Sequence, residues 1–240
     1  MAVMSKKEWK RRRLRRKRMR KIAILGGLAV ALILVLLLFV KIISWIFSGT
    51  DDGLVKKVGD IPVTQKLLTV SDRTRPGTAL NNVKTIVIHY AGMPGTTAKD
   101  QRDYYERLRE ASNAKDALES MHFIVGPDGE IIQCIPINEA AYGSKSSNEN
   151  GLSIEFCCIE ADGSMSKDTY KSLVTLVGYL CDEFDLKASD VKRHYDLTGK
   201  DCPLFFVKNE ESWKNFLDDV ALAIKGKDFT TSNPVVKKSN

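Results

Sequence analysis

The stretch RHYDLTGKDCP, residues 193–203, sets His194 and Cys202 in an H-x7-C spacing, with Lys200 two residues before the cysteine. Imidazoles and thiols bind transition metals and exchange protons near neutral pH, and a neighbouring ammonium stabilises negative charge. A second imidazole, His89, lies next to last in the apolar run KTIVIHY (84–90), just before the loop AGMPGTT. Hydrolytic zinc centres use three protein ligands and keep a fourth position open, and His89, His194 and Cys202 are ligands of suitable type. H-x7-C is not in itself a zinc motif, so from these residues alone ordinary histidines and a buried cysteine stand beside the metal reading.

Rigid elements must carry such groups. KTIVIHY is short and nearly all apolar, which predicts a central strand buried on both faces. Thr97 followed by Asp100 predicts a capping box that opens a helix over DQRDYYERLREA. MHFIV and EIIQCIP around GPDG predict a β-hairpin, in which His122 reads as a core residue or a neighbour of the site. In GLSIEFCCIE (151–160) a period of two puts Ser153, Glu155 and Cys157 on one face and Ile154, Phe156 and Cys158 on the other. An acid thus stands mid-strand among apolar neighbours. Burying it without a partner is costly, so it implies either a catalytic task or an ion pair.

Ser166 is placed to cap a helix whose Leu173, Leu176, Val177 and Leu180 form an apolar stripe. DVKRHYD reads as a short strand, and ESWKNFLDDVALAIKG as an amphipathic helix ended by Gly226. Strands alternating with helices, plus one hairpin, predict a single layered α/β domain with a central mixed β-sheet flanked by helices. It is expected over 71–227, after a linker at 48–70 and before a fraying polar tail at 228–240.

The charge of the 240-residue chain is +7, but residues 1–21 alone carry 12 Lys/Arg and one acid, which leaves −4 for the rest. The basic cluster attracts polyanions, yet the uncharged run Ile22–Val40 follows at once and apolar character resumes to Phe47, so nucleic acid is not the expected partner. Residues 22–47 are long enough to cross a bilayer as a helix. Basic flanks stay inside, so the reading is a single-pass anchor with a cytoplasmic N-terminus and the domain outside. The run exceeds a signal-peptide core, and SWIFSGTDD lacks a small-residue cleavage site. The five cysteines form no CxxC pair, and pairing among Cys134, Cys157, Cys158 and Cys181 stays open. Nothing in the pattern speaks to oligomeric state.

VKTIVIHYAG, MHFIVGPDGEIIQCIP, the Asn-containing segment before LSIEF, and RHYDLTGKDCP stand in the order seen in the type-2 zinc N-acetylmuramoyl-L-alanine amidases. That family includes phage and bacillus endolysins and the peptidoglycan-recognition proteins, and the resemblance covers roughly residues 70–225. It implies one Zn2+ held by His89, His194 and Cys202, the cysteine as thiolate. It further implies Glu155 as general base, Lys200 as oxyanion partner, and Tyr142, Asn148 and Asn150 along a groove for peptidoglycan. The bond implied is the amide between N-acetylmuramic acid and L-alanine. Met121 departs from another branch, which carries a tyrosine there. Some members bind muropeptides without cleaving them, typically after losing the cysteine ligand; Cys202 is present. With the anchor, the resemblance implies an outward-facing enzyme on the cell membrane of a Gram-positive cell.

Overall fold

The computed structural model describes residues 52–110, 118–144, 147–230 and 232–236, with isolated helical positions between Arg15 and Phe39. The chain divides into two units, Met1–Asp51 and Asp52–Asn240. In the first, the described apolar positions Leu32, Ile33, Leu36 and Phe39 are helical and exposed. Arg15, Arg16, Met19, Gly26, Gly27 and Val35 are likewise helical, and the other residues of the expected span 22–47 and of the basic segment 1–21 lie outside the described residues. Among the described residues, no helix is long and apolar enough to cross a membrane.

The second unit is built on seven strands: β1 Lys57–Val58, β2 Ile61–Gln65, β3 Thr85–Tyr90, β4 Phe123–Val125, β5 Ile131–Gln133, β6 Gly151–Phe156 and β7 Val191–Arg193. They form one sheet in the order β1-β2-β5-β4-β6-β3-β7. β1–β2 and β4–β5 pair antiparallel and the other neighbours parallel, so the sheet is mixed, as expected. The helices are α1 Ala98–Leu108, α2 Lys167–Glu183, α3 His194–Thr198, α4 Leu204–Lys208 and α5 Glu210–Ile224. Thr97 and Asp100 make the capping box of α1, and Ser166 Oγ accepts from Thr169 N at the start of α2.

Alternation along the strands creates two cores. On one face Ile86, Ile88, Ile154 and Phe156 pack with Leu173, Leu176, Val177 and Leu180 of α2 and with Trp213, Phe216 and Val220 of α5. On the other, Ile124, Ile132, Cys134 and Cys157 pack with Ala98 and Tyr105 of α1. By the same parity His89, His122 and Glu155 belong to the face that α1 covers. All five cysteines are buried and free.

Two expected boundaries differ. The stretch 48–70 was expected to be a spacer, yet β1 and β2 join the sheet, Val63 pairing with Ile131, and Val55 and Leu68 are buried. Buried Gln133 secures the entry: its Oε1 accepts from Val55 N at 2.8 Å and its Nε2 donates to Gly53 O at 2.7 Å. Two short strands near one edge of the sheet, the second containing Pro62, carry too little pattern to be told from a spacer. The tail does not fray throughout. Val235 is buried, Met165 N donates to Val235 O at 2.9 Å, and Asn233 Nδ2 donates to Ser212 O at 2.8 Å and Tyr170 Oη at 3.1 Å. The burial of Val235 and the Asn233 Nδ2 bonds depend on distant partners, so they gave no local signal.

Candidate metal centre and active site

β3 lies between β6 and β7, all three parallel. Their carboxyl ends therefore open on the same side, the usual place for a site in an α/β sheet. His89, near the end of β3, pairs in register with Glu155 of β6. Ile88 pairs with Arg193 of β7, so His194, which follows, arrives beside His89. The two imidazole centroids are 4.5 Å apart.

Arg193 fixes where α3 starts and hence where His194 points. Its guanidinium meets Asp196 at 2.8 Å and Glu210 at 2.7 Å and donates to Phe206 O at 3.0 Å. Its backbone N–H donates to Asp196 Oδ2 at 2.8 Å. Gly199, at φ 75°, ends α3 in the left-handed conformation that glycine adopts without strain, and the chain turns back. Tyr195 N then donates to Cys202 O at 2.9 Å, which returns the thiol to the two imidazoles.

The ligand atoms of His89, His194 and Cys202 lie within 4.8 Å of one another. His89 and Cys202 are buried and His194 half-buried. His89 Nε2 and His194 Nδ1 are buried without a hydrogen-bond partner. His89 Nδ1 stands 3.9 Å from Cys202 Sγ, and this clustering of two imidazoles and a thiol, with His194 Nδ1 buried and unpartnered, fits an ion held between them. Burial lowers both histidines, with the other nearby cations adding to the effect. Neutral imidazoles are the form that ligates metals. Burial pushes the Cys202 thiol up to about 11, with Lys200 pulling the other way. A cation in the trio would deprotonate it. Two imidazoles and a thiolate suit a divalent ion of borderline softness.

A cleft of about 270 Å³ opens beside the trio, with Tyr105, Glu119, Glu155, Lys200 and Cys202 among its lining residues. Lys200 is exposed. Glu155 is 4% exposed; its Oε2 accepts from Tyr105 Oη at 3.0 Å while Oε1 has no partner. Burial pushes its carboxyl up to about 8, opposed by the Tyr105 hydrogen bond and the Lys200 charge. The carboxyl is thus poised to take and return a proton near neutral pH. It forms no salt bridge among the described residues.

Tyr142, Asn148 and Asn150 do not line this cleft. Asn148 Oδ1 accepts from Ser144 N at 2.9 Å and Asn150 N donates to Ser147 O at 3.1 Å, so both close the local turn, while Asn150 O accepts from Lys84 N at 2.8 Å just ahead of β3. Tyr142 O accepts from Ser120 N at 3.3 Å, Tyr142 N donates to Ser120 Oγ at 2.9 Å, and the chain leads into Gly143. A Cβ on Gly143 would overlap the Ser153 side chain and stand 3.5 Å from His89 Nε2, so only glycine lets this loop pass Ser153 and His89. Tyr105 and Glu119 were not singled out from the sequence. The signal for Tyr105 was its place, with Ala98 and Gln101, on the buried face of α1.

His122 is a structural cross-link, consistent with a core reading. Its Nδ1 accepts from Ser153 N at 3.0 Å, so Nε2 carries the proton and donates to Glu139 O at 2.8 Å. Protonating Nδ1 would set two N–H groups against each other, and burial lowers the group from 6.5 to about 4. The unfolded chain takes up this proton before the folded one does. Stability present above pH 6.5 is therefore lost as pH falls toward 4, by up to about 3 kcal/mol. Urea titrations of metal-free protein from pH 7 to 4 should show a steeper loss for wild type than for His122→Gln. Equal slopes would remove His122 as the cause.

The sheet and the trio define a layered α/β protein with three candidate metal ligands clustered at the carboxyl ends of its parallel strands. A family model described as N-acetylmuramoyl-L-alanine amidase matches residues 79–204, and the chain belongs to that family. It is 33% identical over 191 residues to N-acetylmuramoyl-L-alanine amidase BlyA of Bacillus subtilis (strain 168), covering 71% of this chain and 50% of that one. Identity is 30% over 191 residues to N-acetylmuramoyl-L-alanine amidase CwlL of Bacillus licheniformis, covering 75% and 52% respectively. The chain thus spans about half the length of these curated relatives. A solved mutant endolysin from Bacillus subtilis superposes with a TM-score of 0.54 at 27% identity, covering 65% of this chain and 99% of that one.

Proposed function

We propose that this chain is a zinc-dependent N-acetylmuramoyl-L-alanine amidase, anchored in the cell membrane through residues 22–47 with its catalytic domain outside the cell. The observation that carries the activity is the clustering of His89, His194 and Cys202, whose ligand atoms lie within 4.8 Å of one another, with Cys202 lining the same cleft as Glu155 and Lys200. His89, His194 and Cys202 would hold the zinc, which polarises a carbonyl and makes water a nucleophile at neutral pH. Glu155 accepts the proton of the attacking water. Lys200 places its charge where the carbonyl oxygen turns negative, the point at which a fixed cation stabilises most. Glu155 then returns the proton to the leaving amine of L-alanine. The anchor rests on the apolar run, its basic flank and the helical state of its described positions.

One experiment addresses both parts. Membranes from cells expressing the full chain should cleave defined muropeptides to lactyl-ended sugar and a stem peptide with a free L-alanine amino group. Protease added outside intact cells should remove this activity. Stoichiometric zinc with intact muropeptides would replace the enzyme by a binding protein; activity in the soluble fraction would remove the anchor.

A further inference from the structure

We propose that Tyr105 is the positioning residue for Glu155: its hydroxyl holds Oε2 and leaves Oε1 as the end that exchanges the proton. The inference rests on the amidase reading for the task of Glu155.

Tyr105 sits on α1 at 1% exposure, in an apolar cluster with Leu68, Ala98, Met121 and Ile124. A phenylalanine would satisfy that packing. A hydroxyl in such surroundings costs free energy unless it is bonded, and the bond it makes is to Glu155 Oε2 at 3.0 Å. The terminal torsion of a glutamate is broad and nearly two-fold, so an unrestrained carboxyl on β6 would rotate freely. A donor on one oxygen, itself fixed in a helix packed on the sheet, selects one orientation. Burial and the Glu155 charge raise the phenol well above its usual range, which keeps it a donor at any working pH. The other oxygen is buried and unpartnered. Tyr105 and Glu155 line the cleft together with Lys200 and Cys202, so this orientation is set at the reacting end of the site.

The test is a kinetic cycle on the full chain with Tyr105→Phe, Glu155→Gln and the double variant. Tyr105→Phe should lower kcat by roughly tenfold to a hundredfold, the worth of one hydrogen bond to a charged group, with KM and zinc content unchanged. In the Glu155→Gln background the second substitution should slow the residual rate no further, because its effect runs through the carboxyl. Wild-type turnover by Tyr105→Phe would overturn the proposal. An equal loss in both backgrounds would also overturn it, as would a loss accompanied by depleted zinc or a raised KM. A fully active Glu155→Gln would instead remove Glu155 from catalysis, a separate failure of the underlying reading.

Discussion

Cys202→Ser should strip the chain of its metal and of its activity together, while leaving the fold in place. Serine keeps the size of the side chain but not its chemistry. A thiol, even one raised by burial to about 11, surrenders its proton to a coordinated cation, whereas a hydroxyl is a much weaker acid and would enter the site neutral. The ion would then be held by two neutral imidazoles and a weak oxygen ligand. We expect zinc affinity to fall by more than about a hundredfold, beyond what is typical for loss of an outer-sphere partner. The fold should persist because neither core depends on the ion: α2 and α5 cover one face of the sheet and α1 the other without help from the trio. Elemental analysis and circular dichroism on the purified variant would decide it. Full zinc occupancy with full activity would exclude Cys202 as a ligand.

Glu155→Ala should show the opposite split, with zinc retained and turnover lost by about 100-fold to 10,000-fold, the range associated with general acid–base groups. Glu155 is not among the three clustered ligands, so the ion should stay. Two stability effects oppose each other. Removing a buried carboxyl relieves its desolvation, while the Tyr105 hydroxyl loses its acceptor at a cost of about 1–3 kcal/mol. The net change should be small enough that the variant folds and can be assayed. Unchanged kcat with unchanged zinc would show that the proton goes elsewhere.

Much of the frame was legible in the chain. The capping box at Thr97 and Asp100, the cap at Ser166 and the hairpin around GPDG all stand where local rules place them, because each depends on residues close in sequence. The period of two in 151–156 also assigned Glu155 to the face opposite Ile154 and Phe156. The edge strand β1, its neighbour β2 and the docked Val235 were not legible. Their reason to be ordered lies in distant partners: Ile131 and Gln133 for β2, Met165 for Val235.

The site divides along the same line. Residue type and spacing raised His89, His194, Cys202, Lys200 and Glu155 as candidates beside ordinary structural readings, and the resemblance to the amidase family implied their roles. Only the tertiary structure decided that β3 runs between β6 and β7, which turns three positions far apart in sequence into neighbours at one end of the sheet. It alone also brought Tyr105 to Glu155 and directed Asn148 and Asn150 into a turn. Strand order and helix docking are set by the burial of whole faces, a sum over many residues that no short window of sequence contains.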